Sequence, residues 1–326
     1  MANSETQVPA FLDLDSISQE CREMMSRLPR ERGWMNLFLY QYQGFWHPPR
    51  QLQATINCQR HFQAQDSDII LVTYPKSGTT WLKALVFSLM NRHNLRDHHP
   101  LLTNSPHLLV PFLELDLYFD AHAPDLSQMT SPRLFATHLP FVSLPEPIRR
   151  SSCKIVYCYR NPKDTFVSLW HFSKKLRPKE LPSLPMELLF DRFCSGVSAY
   201  GPFWDHVLGY WENPRETPGK TFFITYEEMK AEPRAQLKRL AEFLECPFSR
   251  EEEDKGTVDD IARLCSFDSL SGLEPNKIGK LPIGVDSNSF FRKGEVGGWR
   301  DALTPSMAEE LDRISEHKFR GSGFSF

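Results

Sequence analysis

Residues Asp68 to Lys83 constrain the chain more than any other stretch. Ile69-Ile70-Leu71-Val72-Thr73 is a short apolar run rich in β-branched side chains, which reads as a buried strand. Pro75 breaks it. A turn of small residues follows, Lys76-Ser77-Gly78-Thr79-Thr80, and Trp81-Leu82-Lys83-Ala84-Leu85-Val86-Phe87 then reads as a helix. Strand, tight turn and helix aim free backbone N–H groups and a positive helix end at one point, which suits a phosphate or a close relative of one. The spacing is not that of a Walker A loop. That loop needs G-x-x-x-x-G-K-[ST], with the lysine after the second glycine. Here Lys76 precedes Gly78 and no first glycine stands at the required offset. The loop is shorter, and its lysine reaches a ligand from the other side. An ordinary strand-to-helix turn with a solvated lysine produces the same pattern, so this loop alone does not decide the function.

Composition narrows what could use such a loop. The 326 residues can bury a substantial core, and 40% hydrophobic with 24% charged residues is ordinary for a soluble globular protein. A formal net charge of -3 argues against a general nucleic-acid binder. An anion site must then come from a few placed Lys and Arg residues. No apolar run approaches the roughly 18 residues needed to cross a bilayer, so no membrane association is expected. Met1 to Gln19 carries acids and no basic segment, which argues against a secretory signal. The seven cysteines are odd in number, scattered, and form no C-x-x-C pair. That argues against a disulfide framework or a zinc site and for a reducing, cytoplasmic setting.

Further short strands alternate with longer helical patterns. Arg133 to His138 runs into Leu139-Pro140, Lys154 to Arg160 into Asn161-Pro162, and Thr221 to Tyr226 into a helical pattern over Glu227 to Leu244. Such alternation predicts a single α/β domain with a central parallel sheet flanked by helices. No linker divides the chain, so residues 1–326 are expected to form one domain: an N-terminal helical, aromatic-rich segment over 1–65, and an α/β core over 66–326. Short helices are expected around Leu108 to Phe119. Ser271 to Gly298, rich in Gly, Pro, Asn, Ser and Lys, reads as a long surface loop, and loops of that length are more often functional than idle.

Two more segments carry chemistry. In Tyr157-Cys158-Tyr159-Arg160-Asn161-Pro162-Lys163-Asp164-Thr165-Phe166-Val167-Ser168, Asn161 suits an N-cap, Pro162 a first helical position, and Asp164 a capping side chain folded back on the helix start. Arg160 then stands at the C-terminal end of a strand, where parallel sheets bind ligands, and can grip an anion through two N–H groups. Ser168 lies two turns into the helix. A structural salt bridge for Arg160 and a surface hydroxyl for Ser168 remain open. Phe290-Phe291-Arg292-Lys293-Gly294-Glu295-Val296-Gly297-Gly298-Trp299 offers two cations and flexible glycines that could fold onto a phosphate, or could be a solvated basic turn.

Taken together, YPKSGTTW, YRNPKDTFVSLWHF and FRKGEVGGW, in that order, resemble the cytosolic sulfotransferase family over most of the chain, from about Trp34 onward. PFLELD and the Ala136-Thr137-His138-Leu139-Pro140 strand end are most similar to its plant branch. The resemblance implies a P-loop-like α/β fold and the co-substrate 3′-phosphoadenosine 5′-phosphosulfate (PAPS). It implies transfer of the sulfuryl group to a hydroxyl or amine of a small organic acceptor by in-line attack. By position, it places Lys76, Ser77, Gly78, Thr79, Thr80 and Trp81 around the 5′-phosphosulfate, with Trp81 also stacking on the adenine. Arg160, Ser168, Arg292, Lys293 and Gly294 would hold the 3′-phosphate. Tyr226, Ser266 and Phe267 would lie near the adenine, where Cys265 departs from the family's threonine.

His138 corresponds to the catalytic base of that family. Read on its own, a lone histidine after an apolar strand is more often a packed or surface residue, although an imidazole can take the proton of an attacking hydroxyl. Lys76 would stabilise charge on the bridging oxygen. No ligand set for Mg²⁺ stands out, so no metal is expected. Ala136 occupies a position where some relatives carry a second lysine. Arg300, Thr304, Pro305 and Glu309 align with a dimerisation stretch of some relatives, but Pro305 lacks a backbone donor and leaves the oligomeric state open. Acceptor-lining candidates are Phe45, Trp46, Tyr118, Phe119, Phe141, His171 and Phe172, aromatic walls suited to a flat flavonoid or steroid. The rival readings are a Mg²⁺-dependent phosphotransferase with a variant loop, which the glycine offset disfavours, and a silent nucleotide-binding member of the fold, which the presence of Lys76 and His138 disfavours.

Overall fold

Among the described residues, seven strands form two sheets. β1 (Arg30–Arg32), β2 (Phe38–Tyr42) and β3 (Phe45–His47) make a three-stranded antiparallel sheet, while β4 (Ile69–Thr73), β5 (Leu134–Thr137), β6 (Lys154–Tyr159) and β7 (Thr221–Thr225) make a parallel one in the order β5-β4-β6-β7. The computed structural model describes residues 14–35, 38–95, 98–120, 123–178, 181–212 and 219–324.

The parallel sheet follows from its side chains. Every residue of β4 and β5 is buried, and alternate residues enter opposite cores because strand side chains point to alternate faces. Ile70, Val72, Phe135, Ile155 and Tyr157 pack on one side, and Ile69, Leu71, Leu134, Val156 and Ile224 on the other. Burying one such side chain is worth ~1.5–3 kcal/mol, so the central strands are a rigid support rather than a hinge. At their N-terminal ends, the Arg133 guanidinium meets Asp68 at 2.8 and 2.7 Å, and both side chains are nearly fully buried. Removing either partner from such a pair would leave an uncompensated charge, a cost of ~3–5 kcal/mol.

Each strand's C-terminal end feeds a loop on the same edge of the sheet. β4 leads into the helix Thr79–Met90, β6 into Pro162–Leu176, and β7 into Tyr226–Ala231. The helical pattern after β7 is two helices, not one. Tyr226–Ala231 ends at Glu232 and Pro233–Phe243 begins anew, because a proline ring cannot continue the preceding hydrogen-bond ladder.

Two expectations need correction. The segment 1–65 is not uniformly helical, and its first thirteen residues lie outside the described ones. Gln19–Met25 and Pro49–His61 are helices, but β1 to β3 lie between them. Gln43 and Gly44 take φ of 51° and 85°, the paired left-handed conformations that close a two-residue hairpin. Gln43 is an unusual residue for that role, so the turn is hard to see in sequence. Ser271 to Gly298 is not a simple surface loop either. It contains the helical turns Glu274–Lys277 and Ser287–Phe290, and Leu281 and Val285 are buried.

Candidate active site

The four strand ends converge on one cavity of about 710 Å³. The loop after β4 contributes Lys76, Gly78, Thr79, Thr80 and Trp81, and the next three strand ends bring His138, Arg160 and Tyr226. Ser168 on the helix Pro162–Leu176 joins them. Ser266, Phe267, Arg292, Lys293 and Gly294 complete the same wall from the C-terminal third of the chain. Of the residues predicted for catalysis and donor binding, only Ser77 is outside the lining. Its hydroxyl is buried, 3.4 Å from Thr165 Oγ1.

The loop is shaped to receive an anion. Gly78 precedes the helix with φ of 105° and offers no capping side chain, so the first-turn N–H groups are left for another acceptor. A Cβ at Gly78 would come within 2.8 Å of the Tyr226 ring, so glycine is required twice over, by backbone and by space. Lys76 also has positive φ, 70°. Its Nζ lies 4.0 Å from the Phe172 ring centre and 5.6 Å from that of Phe290. Burial of the ammonium, and then the nearby Arg160, Arg292 and Lys175, push its pKa down to about 7. A cation crowded by other cations in a half-closed site favours an incoming anion.

Arg160 lies over the Tyr226 ring at 4.3 Å and ties two loops together. It donates to the Lys76 carbonyl at 3.3 Å and to the Glu295 carbonyl at 2.9 Å. Its Nε and the Trp81 Nε1 are buried without a partner among the described residues, and buried donors of that kind ordinarily have one. No salt bridge of Arg160 occurs among the described residues. Asp164 does not fold back onto its own helix. Its carboxylate accepts from Gly297 N–H at 2.7 Å and Trp299 N–H at 2.9 Å, pinning the Arg292–Gly294 segment across the cavity. Gly294 has no room for a side chain, since a Cβ would lie 2.3 Å from Phe267. Arg292 faces the cavity, while Lys293 also reaches Asp301 at 2.6 Å. The Ser266 hydroxyl caps its own helix by accepting from Ser269 N–H at 3.2 Å. Cys265 is fully buried, with its Sγ 3.3 Å from Ser88 Oγ.

His138 is fixed at every protein-facing atom. Its N–H donates to Glu114 Oε1 at 2.8 Å, its carbonyl accepts from His206 Nε2 at 2.9 Å, and its Nδ1 lies 2.7 Å from the Thr73 carbonyl. A carbonyl can only accept, so Nδ1 carries the proton and Nε2 keeps its lone pair. Desolvation, partly offset by the Thr73 contact, pushes the imidazole pKa down to about 3. The ring is therefore neutral, with a free basic nitrogen. Glu114 is the residue that sequence reasoning missed. It is fully buried, holds Thr137 Oγ1 at 2.8 Å as well as His138, and burial lifts its pKa to about 7.

The opposite wall is apolar. Phe112, Phe172, Tyr200, Leu281 and Phe290 line it. Of the seven aromatic candidates read from sequence, His171 and Phe172 line the cavity. The others are packed elsewhere: Phe45 against His206, Tyr118 against Phe62, Phe119 beneath Arg50 and Phe141 against Tyr210. Trp46 is buried, its backbone paired with residues 200 and 201. Among the described residues no group of three or more His, Cys, Asp or Glu is placed to hold a metal ion, and no helix is long and apolar enough to cross a membrane.

Residues 66–323 match the family described as the sulfotransferase domain. The chain belongs to the sulfotransferase family. This sulfotransferase is 55% identical to cytosolic sulfotransferase 12 of Arabidopsis thaliana, over 99% of both chains. It is 52% identical to cytosolic sulfotransferase 13 of the same plant, over 100% of this chain and 99% of the relative. Among solved structures, an Arabidopsis thaliana protein provisionally described as a steroid sulphotransferase aligns with a TM-score of 0.77 and 49% identity, over 98% of this chain and 99% of its own. A mouse sulfotransferase complexed with PAP aligns with a TM-score of 0.68 and 29% identity, over 87% and 95%. The architecture is thus the P-loop-like α/β fold of sulfotransferases, and the protein is an enzyme of sulfuryl transfer.

Proposed function

We propose that this enzyme sulfates a hydroxyl of a small, flat organic acceptor, a flavonoid or a steroid, in the cytosol, with PAPS as donor and His138 as base. The observation that carries the reading is His138 itself: a neutral imidazole at a strand end, locked as the Nδ1–H tautomer, presenting Nε2 to a cavity lined by Lys76 and by aromatic rings. The solved relative provisionally described as a steroid sulphotransferase supports the acceptor class, and the relatives' names support the cytosol.

The residues fit the donor. Lys76 to Trp81 form a cradle with an uncapped helix start, Arg160 and Trp81 have buried donors to spare, and Gly78 and Gly294 leave backbone where a side chain would intrude. When bound, PAPS supplies the activated sulfuryl group. Lys76 and the loop N–H groups would hold its 5′ end, Arg160, Ser168 and Arg292 to Gly294 its 3′-phosphate, and Tyr226, Ser266 and Phe267 would border the adenine. His138 Nε2 accepts the proton of the acceptor hydroxyl, and the Thr73 carbonyl steadies the imidazolium through Nδ1–H. The rings of Phe112, Phe172 and Phe290 exclude water and hold the acceptor flat.

The test combines two measurements. PAP is expected to raise the thermal unfolding midpoint, and ³⁵S-labelled PAPS, without added metal, is expected to label at least one member of a panel of plant phenols, steroids and hydroxylated jasmonates. No midpoint shift together with no labelling would refute the reading. A further expectation concerns Asp164, which does not line the cavity. Asp164→Ala should weaken PAP binding by about 10- to 100-fold through loss of two charge-assisted hydrogen bonds that hold the 297–299 turn. Calorimetric titration of the folded variant checks it, and unchanged affinity would show that the turn needs no such anchor.

A further inference from the structure

We propose that Lys83, His107 and Thr80 form a directed hydrogen-bond relay that fixes the Thr80 hydroxyl as a donor to the 5′ anionic group of the bound nucleotide. Lys83 and His107 are positioning residues in this relay. The proposal rests on the donor assignment above.

The loop carries three hydroxyls with different fates. Ser77 is engaged with Thr165 and Thr79 with Thr73, the latter at 2.6 Å. Thr79 and Thr80 both line the cavity, but the Thr80 Oγ1 is 2.9 Å from His107 Nε2. His107 is buried, its ring stacked on Phe112 at 5.9 Å and lying 4.1 Å from Phe290. Behind it stands Lys83, which is fully buried one turn along the helix from Thr79. Its Nζ is 3.4 Å from His107 Nδ1 and 3.4 Å from the centre of the Phe112 ring. The same ring lies 4.7 Å from His138. The carboxyls of Glu114 and Asp116 also act on Lys83.

The direction of the chain follows from valence. Burial pushes the Lys83 pKa down to about 7, so below that pH its amine is an ammonium with only donors, and His107 Nδ1 must then accept. Burial keeps the His107 imidazole neutral, its pKa well below the ordinary value, and a neutral imidazole has a single N–H. That proton therefore sits on Nε2 and points at Thr80 Oγ1. With Oγ1 accepting there, the Thr80 O–H is turned toward the cavity. No other residue among those described hydrogen-bonds this hydroxyl. Below pH 7 Lys83 thus adds a buried cation to the site although Ala136 adds none, and it acts through a neutral ring rather than by contact.

Calorimetric PAP titration at pH 6 of Thr80→Val, Lys83→Met and the double variant tests the coupling. Each single variant should weaken PAP about 10-fold, since a hydrogen bond to a charged group is lost in both. The double variant should be no more than about 2-fold worse than Thr80→Val, because the two act as one unit. Losses that multiply would overturn the relay. Nitrogen-15 spectra of the histidine side chains in the free protein at pH 6, where Lys83 is protonated and with His107 assigned by difference from His107→Asn, give an independent readout. The Nε2–H tautomer is expected in the wild type, with loss of that preference in Lys83→Met. An Nδ1–H tautomer in the wild type would overturn the proposal. Failure of wild-type protein to bind PAP would sink the donor assignment, whereas the tautomer would still decide the relay.

Discussion

Replacing His138 with alanine is expected to lower turnover by ~10²–10⁴-fold, the range for loss of a general base, while PAP affinity stays within about 3-fold. The split follows from geometry. His138 enters from β5 beside the apolar wall proposed for the acceptor, whereas the proposed anion cradle draws on the β4 and β6 loops. The alanine variant leaves the Thr73 carbonyl without its Nδ1–H partner, a cost of ~1–3 kcal/mol that could lower stability. His138→Gln is the useful companion, because an amide N–H can still serve Thr73 without supplying an imidazole base. Turnover by folded, PAP-binding His138→Gln within 5-fold of wild type would remove His138 as the base. The pH profile adds a second check. The imidazole pKa in the free enzyme is pushed down to about 3, so the ring stays unprotonated as pH falls through the range where an ordinary histidine titrates. kcat/KM should accordingly show no acid limb near pH ~6.5 that His138→Gln abolishes.

The parts of this site that the sequence exposes are those built from contiguous residues. Lys76 to Trp81, Arg160 with Ser168, and Arg292 to Gly294 each sit on one short segment, where a strand end or a glycine marks the geometry directly. The supports are invisible for the opposite reason. Glu114 holds His138 from 24 residues away, and Asp164 holds Gly297 from 133. No local pattern distinguishes these carboxylates from solvated ones. Asp164 even satisfies the pattern of a helix-capping side chain, and only the folded chain shows that Gly297 and Trp299 supply its donors. Aromatic residues misled for a different reason. Phe45, Tyr118 and Phe141 have the character of ligand walls, but aromatic rings fill cores equally well, and only the position of a strand end relative to the cavity separates the two uses. Of the wall residues, Phe172 sits on the regular helix Pro162–Leu176, whereas Phe112 and Phe290, which the sequence reading missed, lie at a loop and at a single helical turn too short for periodicity to show. Position 136 shows the same limit. The sequence records a missing cation there, whereas the fold brings the Lys83 ammonium against the same Phe112 ring that touches His138.

Lys76→Met is expected to lower turnover by about 10²–10³-fold, comparable to removing one preorganised donor from a site of developing charge, and to change how PAP binding depends on pH. In the free enzyme the Lys76 pKa is pushed down to about 7, first by burial and then by Arg160, Arg292 and Lys175. A bound polyanion reverses the balance by supplying opposite charge, so the pKa rises in the complex. The sign then follows from linkage. Below pH 7 Lys76 is already charged and binding moves no proton to it. Above pH 7 the free enzyme has lost that proton and must take one up on binding, so affinity falls as pH rises. Titrations at pH 8 in buffers of different ionisation enthalpy should therefore report proton uptake by the wild type and less by Lys76→Met. Lys83 is pushed down to about 7 as well, so its share is separated by Lys83→Met alone and by the double variant. Equal uptake by wild type and Lys76→Met would mean that this lysine is fully charged in the free enzyme. The cation cluster would then attract the donor without the proton coupling that burial imposes.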